Sequence, residues 1–151
     1  MTLPSYAGEP VGEPVGEPVG EPAGEHRRLL VLSLAIDLLP VSLNHQYQRG
    51  PGKSKLHLTD EARSIRDAFT IEANLQHFRA RKDRYYEVEV TFTFPEWSMD
   101  SDNYLKPLMD ALFGTRGDHR IVRHHVKKRV MPGTSSTVVS VYECKTPWWA
   151  L

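Results

Sequence analysis

From Tyr86 to Phe94 the chain alternates without a fault. Tyr86, Val88, Val90, Phe92 and Phe94 are apolar, while Glu87, Glu89, Thr91 and Thr93 are polar. A period of two belongs to an extended strand with one buried and one wet face, because successive side chains point to opposite sides. Helix would scatter these apolar groups around its circumference. Pro95 ends the run, since it has no N–H for a sheet ladder. Any fold of this chain must give that strand a sheet to join and a layer to cover its apolar face.

Around this strand the rest of a domain can be laid out. Leu29–Ile36 is a continuous apolar run, as in a buried strand. Leu39–Lys55 reads as a polar loop, punctuated by Pro40, Gly50, Pro51 and Gly52. Thr59-Asp60-Glu61 is a helix start with Thr59 as cap, and apolar spacing extends that helix to about Arg79. Ala62, Ile65, Phe69, Ala73 and Gln76 mark one face of it, with Ala68, Ile71, Leu75 and Phe78 beside that face. A second helix covers Asn103–Phe113, with Leu105, Leu108, Met109 and Leu112 inward. Pro107 requires it to begin close to Asp102 or Asn103, or to kink. Ile121–Met131 and Thr137–Cys144 read as strands, joined by the turn Pro132-Gly133-Thr134-Ser135 into an antiparallel hairpin. The order β, loop, α, β, α, β, β predicts a two-layer α+β domain.

Residues 1–26 do not belong to it. Gly8–Glu25 repeats Gly-Glu-Pro-Val, with Ala23 the one variant. Proline every fourth residue forbids helix and sheet ladders, and repeated glycine and like charge predict a disordered tail. The domain is expected at 27–145, followed by a short tail, 146–151. The formal net charge of zero hides an asymmetry: the repeat holds five of the 19 acids and no base. The remaining 14 acids face 19 Lys and Arg, so the body is net +5. That suits a polyanionic partner and equally an ordinary wet surface. The single Cys144 excludes an intrachain disulfide and fits a reducing, cytoplasmic setting. No secretory leader is expected, and Leu29–Leu39 is too short and too interrupted to span a bilayer.

The residues with chemical potential follow the alternating strand. Asp100 and Asp102 stand two apart, so on extended backbone both carboxylates point one way and can share a divalent cation. Asp102 could instead cap the second helix. Lys106 and Asp110 are four apart on that helix, which by itself describes a surface ion pair worth about 0.3 kcal/mol. Asp118 lies in the following loop beside Gly117. Beyond it Arg116–Arg129 is densely basic: Arg120, Arg123, Lys127, Lys128 and Arg129 form a candidate phosphate track, or a charged strand edge. The histidines show no metal-ligand spacing, and the neighbours His124 and His125 point to opposite faces of a strand.

Taken in order, these pieces resemble the RusA family of Holliday-junction resolvases. The family motif Asp-x-Asp-Asn-x-x-Lys-x-x-x-Asp-Ala-Leu is matched by Asp100, Asp102, Asn103, Lys106, Asp110, Ala111 and Leu112. Leu39–Tyr47 is similar to the family's Pro-x-Ser-x-Asn-x-x-Tyr loop, and Leu58–Ala62 to its first helix start. The likeness spans about Leu29 to Glu143. It implies a mixed sheet with two helices, a homodimer, and Mg²⁺-dependent cutting of four-way DNA junctions by paired nicks in recombination and repair. It also implies Asp100, Asp102 and Asp118 as metal ligands, Lys106 as the catalytic lysine, and Asn44 and Tyr47 on the DNA surface. Gly117 stands where the family has the first acid of a pair. The alternative is a junction-binding protein without catalysis.

Overall fold

The computed structural model describes residues 28–50, 52 and 56–145. The expectations for the two tails, and for positions 51 and 53–55 of the Leu39–Lys55 loop, lie outside those residues. The elements are β1 (Arg28–Ile36), β2 (Tyr47–Arg49), β3 (Leu56–Leu58), α1 (Asp60–Leu75), β4 (Tyr85–Phe94), α2 (Asp102–Phe113), β5 (Ile121–Val130) and β6 (Ser136–Cys144), with a 3₁₀ turn at Asp118–Arg120. The fold is α+β. Four strands form one mixed sheet in the order β1-β6-β4-β5, and β2 and β3 form a small antiparallel pair. No helix among the described residues is long and apolar enough to cross a membrane.

Both helices cover one face of the sheet. Register aligns Leu32, Val141 and Val88 across three strands, and Leu34, Val139 and Val90 beside them. Phe69 and Ala73 of α1 and Leu108 and Met109 of α2 close over these rows. Phe78, Tyr86 and Phe113 meet edge to face, with ring centroids 5.3–6.1 Å apart. Such pairs add about 0.5–1.5 kcal/mol each beyond the area they bury. The opposite face of the sheet has no helix on it among the described residues.

The expected β5–β6 hairpin does not form. The two strands follow one another in the chain, but β4 lies between them, parallel to β5 and antiparallel to β6. Burial decides the order. β4 holds the most apolar alternation and takes a central place, while the basic β5 keeps its charges in water at an edge. The central position also overrides the expectation of a uniformly wet polar face on β4. Glu87 is only 2% exposed and Thr93 6%, because strands flank β4 on both sides. Arg28 reaches Glu87 at 3.5 Å and Glu89 at 2.9 Å. β1 is likewise an edge strand buried on one face only: Leu32 and Leu34 are covered, while Ser33 and Ala35 are exposed.

Thr59 caps α1 as expected, its hydroxyl accepting from the Ala62 N–H at 3.1 Å, an interaction worth about 1 kcal/mol. The helix stops at Leu75, not Arg79. Gln76 leaves it to hold the outer edge of β1, donating to the Ser33 carbonyl (2.6 Å) and accepting from the Ser33 N–H (3.2 Å). One amide side chain thus satisfies both backbone groups of an edge residue. His77 then takes a positive φ of 57° and turns the chain away. The Leu39–Lys55 segment is not entirely loop, since Tyr47–Arg49 pairs with Leu56–Leu58.

Candidate functional site

The chain leaves β4 at Phe94 and enters α2 eight residues later. Lys128 of β5 holds this connection, donating to the carbonyls of Trp97 (2.7 Å) and Met99 (2.5 Å). The Asp100 carboxylate then accepts the Asp102 N–H at 3.2 Å, an Asx turn that starts the helix. Asp102 is therefore not the cap. Ser101 occupies that position without a side-chain hydrogen bond, and Asp102 is the first helical residue. Both Asp100 and Asp102 remain exposed at the helix N-terminus.

Pro107 sits inside α2, where it is buried. It lacks the N–H that would bond to the Asn103 carbonyl one turn back. That carbonyl instead accepts the Leu43 N–H at 2.9 Å. The proline thereby creates a docking point for the loop after β1 and places Asn44 next in sequence to it. Tyr47 lies farther along the same segment and shares with Pro107 and Asp110 a small cleft of about 20 Å³.

Lys106 is the centre of the site. Its ammonium donates to Asp110 at 2.6 Å and to Asp118 at 2.7 Å. Asp110 is 9% exposed, so the pair is not the surface ion pair that spacing alone describes. The hydrogen bonds Lys106 donates to Asp110 and then Asp118 raise the Lys106 pKa, and the bond Asp118 accepts lowers that of Asp118. Three residues from two separated segments form one charge cluster.

The loop that delivers Asp118 depends on two glycines. Gly114 ends α2 with φ 76°, a left-handed conformation that favours glycine. Gly117 has an ordinary negative φ, but a Cβ there would lie 2.0 Å from the Phe113 carbonyl oxygen. The loop passes too close to the end of α2 for any side chain. A side chain at 117 is thus excluded by the backbone path, and introducing one would displace Asp118. Gly117→Ala is expected to cost about 1–3 kcal/mol, measured by urea unfolding. A cost under a few tenths of a kcal/mol would show that the loop is not held this tightly.

The three expected metal ligands do not all converge. Among the described residues no group of three His, Cys, Asp or Glu side chains is arranged to hold a metal ion. The donor chemistry suits a hard cation, since all three are carboxylates. In geometry, Asp118 is engaged by Lys106, which leaves Asp100 and Asp102 as the pair available to a cation. Sequence reasoning missed two members of this neighbourhood. Asp110 was visible as the i+4 partner of Lys106, but its burial was not. His124 pairs in register with Val88 and so faces the helices. Burial pushes its imidazole below the ordinary range, while the Asp118 charge pulls it up.

The basic segment divides in two. Arg123, His125, Lys127 and Arg129 share the open face of the sheet, while His124, Val126 and Lys128 share the helix face, as strand alternation demands. The candidate phosphate track thus consists of two sets that meet at the β5 edge. Lys128 is spent on the Trp97 and Met99 carbonyls, Arg120 donates to the Arg81 carbonyl, and Arg123 lies 3.9 Å from Glu87. Lys127 and Arg129 are exposed and have no ion pair among the described residues. A scan against protein-family models finds no match for this chain, and a search of curated proteins finds none either.

Proposed function

We propose that this domain is a Mg²⁺-dependent, structure-specific endodeoxyribonuclease of the RusA kind, acting as a homodimer on four-way DNA junctions. One observation carries this reading: Lys106, one turn from the Asp100–Asp102 pair, receives Asp118 from the loop that follows α2. Lysine has three N–H donors. Two are spent on Asp110 and Asp118, and the third remains for a phosphate oxygen. Asp110 positions the ammonium from its buried side. The α2 N-terminus favours an anion through its dipole, yet Asp100 and Asp102 repel one. A cation held by those two carboxylates would cancel that repulsion. Bound Mg²⁺ would supply Lewis acidity at the phosphate and an activated water. Asp118 would join it only by leaving Lys106.

A two-fold dimer suits the near two-fold symmetry of a junction and would provide two sites for paired cuts. The decisive experiment is incubation of a synthetic four-way junction with the protein and Mg²⁺. Symmetric paired nicks are expected. Binding without nicks would favour the second reading, a non-catalytic junction binder, for which the closed space at Gly117 speaks. Absence of both at moderate salt would reject both.

The division of β5 makes a further prediction. Lys127→Ala or Arg129→Ala should lower the slope of log affinity against log salt by about 0.9, one phosphate contact each. Lys128→Ala should leave it unchanged, because its ammonium is held by backbone carbonyls. Equal effects at all three positions would contradict the assignment by face.

A further inference from the structure

We propose that Trp97 is a stacking platform for one unpaired nucleobase of the DNA strand that passes Asp100 and Asp102. Its place beside a scissile phosphate rests on the nuclease reading; the stacking does not.

The indole is exposed although it is held. Trp97 is 79% exposed, more than any other large apolar side chain among the described residues. A covered aromatic side chain removes about 150–250 Å² from water, and this one forgoes most of that gain. Its backbone is fixed all the same. The Lys128 ammonium donates to the carbonyl of Trp97 itself at 2.7 Å and to that of Met99 at 2.5 Å. The same ammonium lies over the indole, 5.9 Å from the ring centroid, and 5.7 Å from that of the buried Phe94. One cation therefore anchors both the backbone and the ring, the latter because the face of an aromatic ring attracts positive charge. Ordering a free side chain costs affinity on binding. A ring ordered beforehand avoids much of that cost, and its face away from the ammonium is open to water.

The surroundings select the ligand. Glu96, Asp100 and Asp102 are exposed carboxylates within five residues of the indole in the chain. They repel phosphate, and Lys128 is already engaged by two carbonyls. The part of a nucleic acid that can come to this ring is the neutral, flat base. A protein partner suits it less: a standard interface buries about 800 Å² on each side, whereas one aromatic side chain supplies at most about 250 Å². A single base covers one indole face, whichever base it is, because every base has a π-face.

Reach agrees with this ligand. Asp100 comes three residues after Trp97, so their Cα atoms are at most about 11 Å apart. Bases along one strand rise about 3.4 Å each. A phosphate held at the carboxylate pair thus has its nearest bases within range of the indole. Where strands exchange in a four-way junction, a base most readily lacks a stacking neighbour, and drawing it out costs least there.

Photo-cross-linking tests the contact directly. 5-Iodouracil, which couples to a stacked aromatic side chain on irradiation, is placed at successive positions through the exchange point of a four-way junction and in a single strand. The full chain is irradiated with each in Ca²⁺, and the links are mapped by mass spectrometry. A dominant link to Trp97 from one position or two adjacent ones is expected. No link, or links only to other aromatic residues such as Tyr47, would overturn the proposal. Affinity supplies the second arm. Trp97→Ala and Trp97→Leu should each weaken junction and single-strand binding about tenfold, with Trp97→Phe within about threefold of the parent. The slope of log affinity against log salt should not change, because no phosphate contact is lost. Unchanged affinity in Trp97→Ala would overturn the stacking. So would full affinity in Trp97→Leu, which keeps apolar bulk without a flat ring. A shift of Trp97→Ala from dimer to monomer in gel filtration would assign the ring to a second copy of the chain instead. A Trp97 link in a protein that leaves junctions uncut in Mg²⁺ would keep the stacking and reject the nuclease. Cutting that proceeds with no Trp97 link would do the reverse.

Discussion

Asp102→Asn is expected to reduce Mg²⁺-dependent junction cutting by about 10³-fold or more while junction binding persists. The Asp102 carboxylate is exposed and has no hydrogen bond among the described residues, so the isosteric amide leaves packing intact. Its stability cost is limited to the lost interaction with the helix dipole, about 0.3–1 kcal/mol. The catalytic cost is larger. A hard cation binds an amide oxygen much less well than a carboxylate, and metal stabilisation of the transition state is worth several kcal/mol, with each 1.4 kcal/mol a factor of about ten in rate. Binding may be compared at the same salt with Ca²⁺ in place of Mg²⁺. Cutting within about tenfold of the parent would reject Asp102 as a ligand.

Lys106→Met is expected to lose cutting by about 10²-fold or more and to destabilise the fold by about 1–2 kcal/mol. The substitution keeps the apolar stem and removes the ammonium. Asp110, nearly buried, then loses the partner 2.6 Å away, and Asp118 loses its tether to α2. A fully buried pair broken in this way costs about 3–5 kcal/mol, but the Lys106 side chain is 43% exposed, so solvent screening reduces the figure. The pH dependence separates the partners. The Asp118 pKa is lowered in the fold by its bond from Lys106, so its contribution is present above the ordinary carboxylate value of 3.8 and fades as pH falls through the lower folded value. The Lys106 pKa is raised, so its contribution is present below 10.5 and fades as pH rises through the higher folded value. The parent should therefore outlast Lys106→Met most clearly between these limits, with the gap narrowing at both ends. Urea unfolding from acid to alkali checks this. A gap that does not change with pH would mean the ammonium is not what stabilises the loop.

Gly117 bears on both predictions. Its position beside Asp118 could be read in the sequence as a missing acid. The Phe113 carbonyl oxygen, which a Cβ at 117 would meet at 2.0 Å, gives the absence of a side chain a cause. A loop that tight brings Asp118 back against α2, where Lys106 can take it. The single acid and the close turn belong together: a second acid would require a wider loop.

Short-range rules made several features readable in the chain alone. The period-two run of β4, the Thr59 cap, a second helix beginning close to Asp102 or Asn103, and the α+β order all depend on neighbours within a few residues. So did the motif that placed Asp100, Asp102 and Lys106 together. The order of strands was decided elsewhere. Pro132-Gly133 is good hairpin chemistry, yet β4 separates β5 from β6, because burying Val88, Val90 and Phe92 between two strands outweighs the convenience of a short turn. Tertiary structure alone brought Asp118 to Lys106, made Asp110 a buried partner, gave the Asn103 carbonyl to Leu43, and divided the cations of β5 between two faces. Local pattern sets which side of a strand or helix a residue occupies. Which side meets which is set by the long-range pairing that best covers the apolar faces, and in this protein that pairing assembled the candidate site.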